Sequence, residues 1–344
     1  MHYSFGDFLR EQRKKTPPLV SEDLTGKTVV VTGSNVGLGF EATKHFARMN
    51  PGRLIMACRN MAYGEVAMAK IKEETGCQII ELWVLDLSSF ASVIAFYERF
   101  ERDGGRLDIL VENAAVIPNP KDAPTTDGWA PGIQVNILAT NLLALLLLPR
   151  LVHTAKEHNT VPRLVVVASD VHYRAKIPQH IIDAPKPWRA YNDPKSYRSG
   201  PPFSQYNDSK LFNVLFVRAL AERFSFSTNS VIVDCVNPGF CASELRRGLN
   251  PLLRLGDKLF VALVARTTEE GSRQLVYAAL GGKRDERKLH GAYISLSEIR
   301  EPSDFVLSED GRRAQERFWD DMIVEFTKVE PRVQDIVQTL FNKA

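Results

Sequence analysis

The chain lacks the residue patterns that mark a metal-bound, disulfide-stapled or nucleic-acid-binding protein. Its four cysteines, Cys58, Cys77, Cys235 and Cys241, form no C-x-x-C pair and no zinc spacing. That excludes a disulfide framework and fits reduced thiols in a reducing, cytoplasmic compartment. The seven histidines are scattered without H-x-x-x-H or H-E-x-x-H, so no metal site is expected. Charge of one sign is missing as well. Against 44 basic residues stand 41 acidic ones, a formal +3 that is too mild to point to nucleic acid as a partner.

Long apolar runs are also scarce. The N-terminal "MHYSFGDFLREQRKKTPPLV" has no apolar stretch of signal-peptide length. Its Phe5, Phe8 and Leu9 lie at helical spacing ahead of a basic cluster. They fit a short helix packed on the domain, or alternatively a peripheral contact with lipid. The most apolar segment, "ILATNLLALLLLPRLV" over 137–152, is interrupted by Asn141, Pro149 and Arg150 and falls short of the roughly 20 residues of a span. No membrane span is expected. A helix apolar nearly all round belongs in a core or against a second subunit, which leaves a homo-oligomer open.

What is present is ordinary globular composition, 44% hydrophobic and 25% charged over 344 residues. That suits one large domain. From Lys27 onward strand-like runs ("KTVVVTG", "RLIMAC", "IIELWVLDL", "LDILVENA", "RLVVVAS", "SVIVDCVNPG") alternate with helix-like ones. Strands that are continuously apolar rather than alternating predict a parallel sheet covered on both faces, hence a doubly wound α/β fold in a single domain. The expected organisation is an N-terminal extension over 1–24, a catalytic domain over 25–330 and a C-terminal tail over 331–344. Residues 170–204, rich in proline, are too long for an ordinary connection and read as a lid or binding loop.

The first strand runs into three glycines, Gly33, Gly37 and Gly39, before a helix begins. Bare backbone at that junction lets a pyrophosphate sit on the helix N-terminus, although a tight turn without any ligand has the same appearance. No G-K-[ST] follows, so it is not a Walker loop. Sites of this kind carry a discriminating residue about 20 positions further on: acidic for a ribose 2′-hydroxyl, Arg for a 2′-phosphate. Arg59, in "MACRN" at the end of the second strand, predicts NADP(H), with Ser34 and Asn35 as further donors to the phosphate.

"SQYNDSKLF" places Tyr206 and Lys210 at i and i+4, on one helical face. A nearby cation lowers a phenol from its ordinary value of about 10, making it a general acid–base for alcohol and ketone interconversion. Alone this spacing is common. With Ser169 ending the fifth strand, Asn136 early in the long helix and "ENAAV" after the fourth strand, it forms a set.

The set resembles the short-chain dehydrogenase/reductase family, in the branch with retinol dehydrogenases and protochlorophyllide reductase, from about Lys27 to about Phe326. The chain is also similar to fungal secondary-metabolite reductases. The resemblance implies a Rossmann-like fold, catalysis by Asn136, Ser169, Tyr206 and Lys210, and a cofactor site. In that site T-G-x-x-x-G-x-G covers Thr32 to Gly39, Leu38 included. Arg59 is the strand-two arginine, Asp86 with Leu87 contacts adenine, and Asn113, Ala114 and Ala115 stand for N-A-G. Tyr206 and Lys210 also touch the cofactor. Pro238 and Gly239 follow strand six, and Ser243 replaces the nicotinamide-binding threonine. In the implied mechanism Tyr206 passes the proton and Ser169 orients the oxygen. Lys210 holds the ribose, and Asn136 fixes a water relay.

The expected substrate is a bulky apolar small molecule, such as a polyketide or terpenoid ketone or alcohol. The loop aromatics Trp188, Tyr191, Tyr197 and Phe203 suit it, unless the loop closes on itself. The rival readings are reduction of an activated C=C bond and a catalytically silent NADP(H)-sensing regulator.

Overall fold

A computed structural model describes residues 3–103, 105–119, 122–197, 203–246, 260–283 and 285–341. Six strands alternate with helices along the chain: β1 (Thr28–Thr32), β2 (Arg53–Cys58), β3 (Ile80–Val84), β4 (Ile109–Glu112), β5 (Arg163–Val167) and β6 (Ile232–Asn237). All the pairings among them are parallel. Two strands of three residues, β7 (Tyr293–Ser295) and β8 (Glu298–Arg300), complete the sheet in the order β3-β2-β1-β4-β5-β6-β7-β8. β7 pairs parallel with β6, and β8 runs antiparallel to β7. These two are not among the strand-like runs read from the sequence. Their segments are too short to carry a periodic signal.

Apart from the edge strand β3, the longer strands are buried on both sides because both faces are covered. Val30, Ile55, Leu110, Leu164 and Val233 pack into one core cluster, and Val29, Leu54, Ile109, Val165 and Ile232 into the other. The first face carries α4 (Phe90–Asp103), α5 (Pro131–His158) and α6 (Ser204–Arg223), with α8 (Glu309–Val329) and α9 (Arg332–Phe341) outside them. The second carries α2 (Gly37–Ala47), α3 (Met61–Thr75) and α7 (Thr268–Leu280). Helix ends are set locally: the Asn60 side chain accepts from Tyr63 N at the start of α3, and Gly76 at φ +75° ends it.

α5 is long and apolar enough to cross a membrane by composition, yet its apolar window is 89% buried inside the fold. The core takes it up within one chain. The expected C-terminal tail is instead the helix α9, whose Val333 and Ile336 are buried in the main core cluster. The extension at the other end contains α1 (Phe5–Gln12), closed by a Ser4–Asp7 capping box with Phe8 buried.

The connection over 170–204 differs most from expectation. A 3₁₀ turn (Asp170–Arg174) is followed by the short helices Gln179–Ile182, Pro187–Tyr191 and Pro194–Tyr197. Trp188 and Tyr191 are buried, and Trp188 Nε1 donates to Phe318 O of α8 at 2.8 Å. Arg317 of α8 in turn donates to the carbonyls of Ile182 and Ala184. As far as Tyr191 this connection is anchored in the core, because Trp188 and Tyr191 fill the space between α6 and α8. Of the remaining expected lid, residues 198–202 lie outside the described residues.

Candidate active site

The sheet order places β1 beside β4, so successive connections leave in opposite directions at their carboxyl ends. A crevice outside the strands at such a switch point is where open α/β sheets bind ligands. Every expected site residue not carried on α5 or α6 lies at a strand end on that edge, in the turn leaving it or at the start of the helix that follows. Thr32 to Gly39 follow β1, Arg59 follows β2, Asp86 and Leu87 follow β3, and Asn113 to Ala115 follow β4. Ser169 follows β5, and Pro238, Gly239 and Ser243 follow β6.

The glycines are explained by close approach. A Cβ on Gly39 would lie 2.4 Å from Gly33 O and 2.5 Å from Asn113 Nδ2, and one on Gly33 2.9 Å from Ala114 Cα. Gly33 and Gly37 both have φ of +65°, which disfavours any side chain. Thr32 and Asn113 lock the two strand ends together. Thr32 Oγ1 accepts from Asn113 N (3.0 Å) and Ala114 N (3.1 Å), and Asn113 Nδ2 donates to Thr32 O (2.9 Å) and Gly33 O (3.2 Å). Gly37 faces Ser243, whose Cβ would be 3.8 Å from an added methyl. The turn after β6 therefore closes over the glycine turn.

Ser34 is fully buried with its hydroxyl 3.3 Å from Cys58 Sγ. It supports the turn from beneath, leaving Asn35 as the partly exposed donor of that pair. Arg59 is exposed, and its side chain has no ion pair or hydrogen bond among the described residues. Asp86 turns its carboxylate back on Ser88, accepting from its N (2.9 Å) and Oγ (2.6 Å). Leu87 is buried.

On the other side of the crevice, α6 carries Tyr206 and Lys210 past the end of β5. Lys210 Nζ donates to Val167 O at 2.6 Å, two residues before Ser169, and lies 5.6 Å from the centre of the Tyr206 ring. Burial without a counter-charge pushes the Lys210 ammonium down to about 7. Ser169 Oγ donates to Asp170 Oδ1 (3.1 Å) and accepts from Val171 N (3.3 Å). Asn136 sits in a π-helical turn, Gln134–Leu138, a local widening that recurs at functional positions. Its Oδ1 accepts from Val116 N (2.8 Å), and its Nδ2 donates to Val116 O (2.9 Å) and Ser209 Oγ (3.1 Å). The Asn136 amide thus ties the β4 turn to α6, and its hydrogens are occupied in doing so.

Three groups escaped the sequence reading. Asp170, next to Ser169, is buried, which raises its carboxyl above the ordinary range. Tyr191 donates from its hydroxyl to Asp208 Oδ2 at 2.9 Å, two residues from Tyr206, and burial pushes Asp208 up to about 6. Glu112, one residue before Asn113, is buried, and desolvation pushes its carboxyl well above the ordinary range. Single acidic residues carry no spacing signal, so only tertiary burial distinguishes them.

The arrangement brings a phenol, an amine and a hydroxyl to one end of the sheet, beside a glycine turn with an exposed arginine at its far side. Comparison with known proteins agrees with it. A short chain dehydrogenase family profile matches residues 27–177. The chain is 37% identical over 328 residues to the short chain dehydrogenase/reductase dmxR8 of Cryptosporiopsis sp. (strain 8999), covering 95% of this chain and 98% of that protein. It is 38% identical over 293 residues to the short chain dehydrogenase sol3 of Alternaria solani, covering 84% and 96%. A Shigella flexneri short-chain dehydrogenase structure complexed with NADP shares the fold at a TM-score of 0.57 and 20% identity, over 81% of this chain and all of that one. These relatives, the sheet order and the crevice agree on one conclusion: the chain belongs to the short-chain dehydrogenase/reductase family of oxidoreductases.

Proposed function

We propose that the protein is an NADP(H)-dependent reductase or dehydrogenase that interconverts a ketone or aldehyde and an alcohol on a bulky apolar small molecule. The observation that carries this is the convergence of Tyr206, Lys210 and Ser169 at the carboxyl edge, opposite the glycine turn. The site fits a dinucleotide. Gly33, Gly37 and Gly39 leave a cradle that a Cβ would fill or strain, and Arg59 stands unpaired where a 2′-phosphate would lie. Thr32, Asn113 and the Pro238–Gly239 turn complete that wall, with Ser243 facing Gly37. Neighbours of the same fold crystallised with NADP or NADPH support the same preference.

When bound, the cofactor supplies or takes a hydride at nicotinamide C4. In the reducing direction Tyr206 donates its phenolic proton to the substrate oxygen, and Ser169 holds that oxygen by a hydrogen bond. Lys210, buried beneath Tyr206, favours the phenolate that remains. Asn136 braces the β4 turn against α6, which keeps Tyr206 in register with the opposite wall. The fungal origin of the relatives supports a polyketide or terpenoid carbonyl compound as the substrate. The four free thiols fit a cytoplasmic location.

The test is incubation with NADPH and a panel of bulky apolar ketones, aldehydes and enones, followed by NADPH absorbance and product mass and structure. Formation of the alcohol is expected. A saturated ketone from an enone would identify C=C reduction instead. Tight NADPH binding with no turnover on any carbonyl, and no NADP+-dependent oxidation of secondary alcohols, would identify a sensor.

A further inference from the structure

The N-terminal helix is too short to be stable alone, since isolated helices of this length are marginal in water. Its order comes from docking, and it docks on the turn that leaves β6. Gln12, its last residue, donates from Nε2 to Phe240 O (3.0 Å) and Val264 O (3.0 Å), and its Oε1 accepts from Phe240 N (3.0 Å). One side-chain amide therefore satisfies both backbone groups of Phe240, as a neighbouring strand would. The same amide lies against Gly239, where an added Cβ would be 3.0 Å from Gln12 Oε1.

The preceding residue reinforces the joint. Arg266 Nη2 donates to Glu11 O at 2.6 Å, while Arg266 N donates to Phe240 O and Ala242 N donates to Arg266 O, each at 2.9 Å. Phe8 packs edge-on against Phe240, with ring centres 6.1 Å apart. At its other end the segment reaches the opposite side of the cleft, where Tyr3 stacks on Tyr173 at 4.6 Å, four residues beyond Ser169. Gly239 has φ +80° and lies past the end of the strand, so the ladder of β6 does not hold it.

We propose that Gln12 is a positioning residue: by gripping Phe240 beside Gly239 it holds the turn after β6 at the height from which that turn closes on the nicotinamide end of the cofactor. The inference rests on the cofactor reading above. Gln12 touches neither cofactor nor substrate and acts through the turn. It therefore affects one end of the dinucleotide only, because the adenine end rests on β2, β3 and Arg59.

The experiment compares two ligands by calorimetry: NADPH, and adenosine 2′,5′-bisphosphate, which has the adenine end alone. In Gln12→Met, which keeps the shape and loses the hydrogen bonds, NADPH is expected to bind about tenfold more weakly, the worth of roughly one buried hydrogen bond. Adenosine 2′,5′-bisphosphate should stay within about twofold of wild type, inside ordinary surface-mutation effects. Gln12→Asn, which withdraws the amide by one methylene, should behave alike and serves if the first variant does not fold. Equal weakening of both ligands, or of neither, overturns the proposal. Wild-type protein that binds neither ligand overturns the cofactor reading itself, and this inference falls with it.

Discussion

The two halves of the crevice are built on different principles. On the cofactor side the parts are close in sequence and held by backbone approach: Gly33, Gly37 and Gly39 lie within one turn, fixed from across the sheet by Asn113. On the substrate side the parts are held by residues far away in the chain. Trp188 is anchored by Phe318, and Tyr173 by Glu301 and Tyr3. The first wall needs small residues in fixed order, whatever lies elsewhere. The second needs only that distant elements pack, so its residues can vary while the catalytic edge stays in place. That division suits a family in which one cofactor meets many substrates.

The comparison can be broken most sharply at Tyr206, where the halves meet. Tyr206→Phe removes one hydroxyl and should lower kcat by about 10²–10⁴, the range of a lost general acid. NADPH affinity should persist, read by calorimetry beside the rate. Turnover within about tenfold of wild type would show that another group passes the proton.

On the substrate side, Trp188→Ala is expected to destabilise the fold by about 3–5 kcal/mol, as for a large aromatic removed from a core. Trp188 is 2% exposed and lies against Phe212 and Phe318, at ring separations of 4.7 and 4.8 Å. Urea unfolding gives the number. A normal midpoint with altered substrate choice would restore the connection as a lid and undo the distinction.

On the cofactor side, Arg59→Asp should leave stability nearly unchanged, since the side chain is exposed and has no partner among the described residues. It should shift the ratio of kcat/KM for NADPH over NADH downward by at least about tenfold, the scale of a lost charge-assisted contact plus repulsion. An unchanged ratio would place the 2′-phosphate on another cation.

A further expected effect is on pH dependence. Lys210 has a folded-state value of about 7 against an ordinary 10.5. Between these values the unfolded chain holds the proton and the folded one does not, so this group makes stability rise with pH across that window. Below about 7 the folded protein carries the buried charge and the penalty is complete. Lys210→Met should therefore exceed wild type most below neutrality, with the gap narrowing toward pH 10.5. Urea midpoints at several pH values check the slope. A gap that widened with pH would mean the ammonium has a partner in the fold.

Much of this was legible in the residues. The apolar runs located all six long parallel strands, because in all but the edge strand β3 burial on both faces leaves no alternation to mislead. The glycine order, Arg59 at a strand end and the Tyr206–Lys210 spacing marked the crevice, since each follows from local geometry. Tertiary structure decided the rest. β7 and β8 exist only through pairing with β6 and with each other. The proline-rich connection is anchored in the core as far as Tyr191 because α8, over a hundred residues later, offers Phe318 and Arg317 to it. Gln12 gained its place only where the chain brought residue 240 back to it. Local periodicity and steric need are written within a few residues. What a side chain touches across the fold depends on where two distant elements come to lie, and no short stretch of sequence contains that.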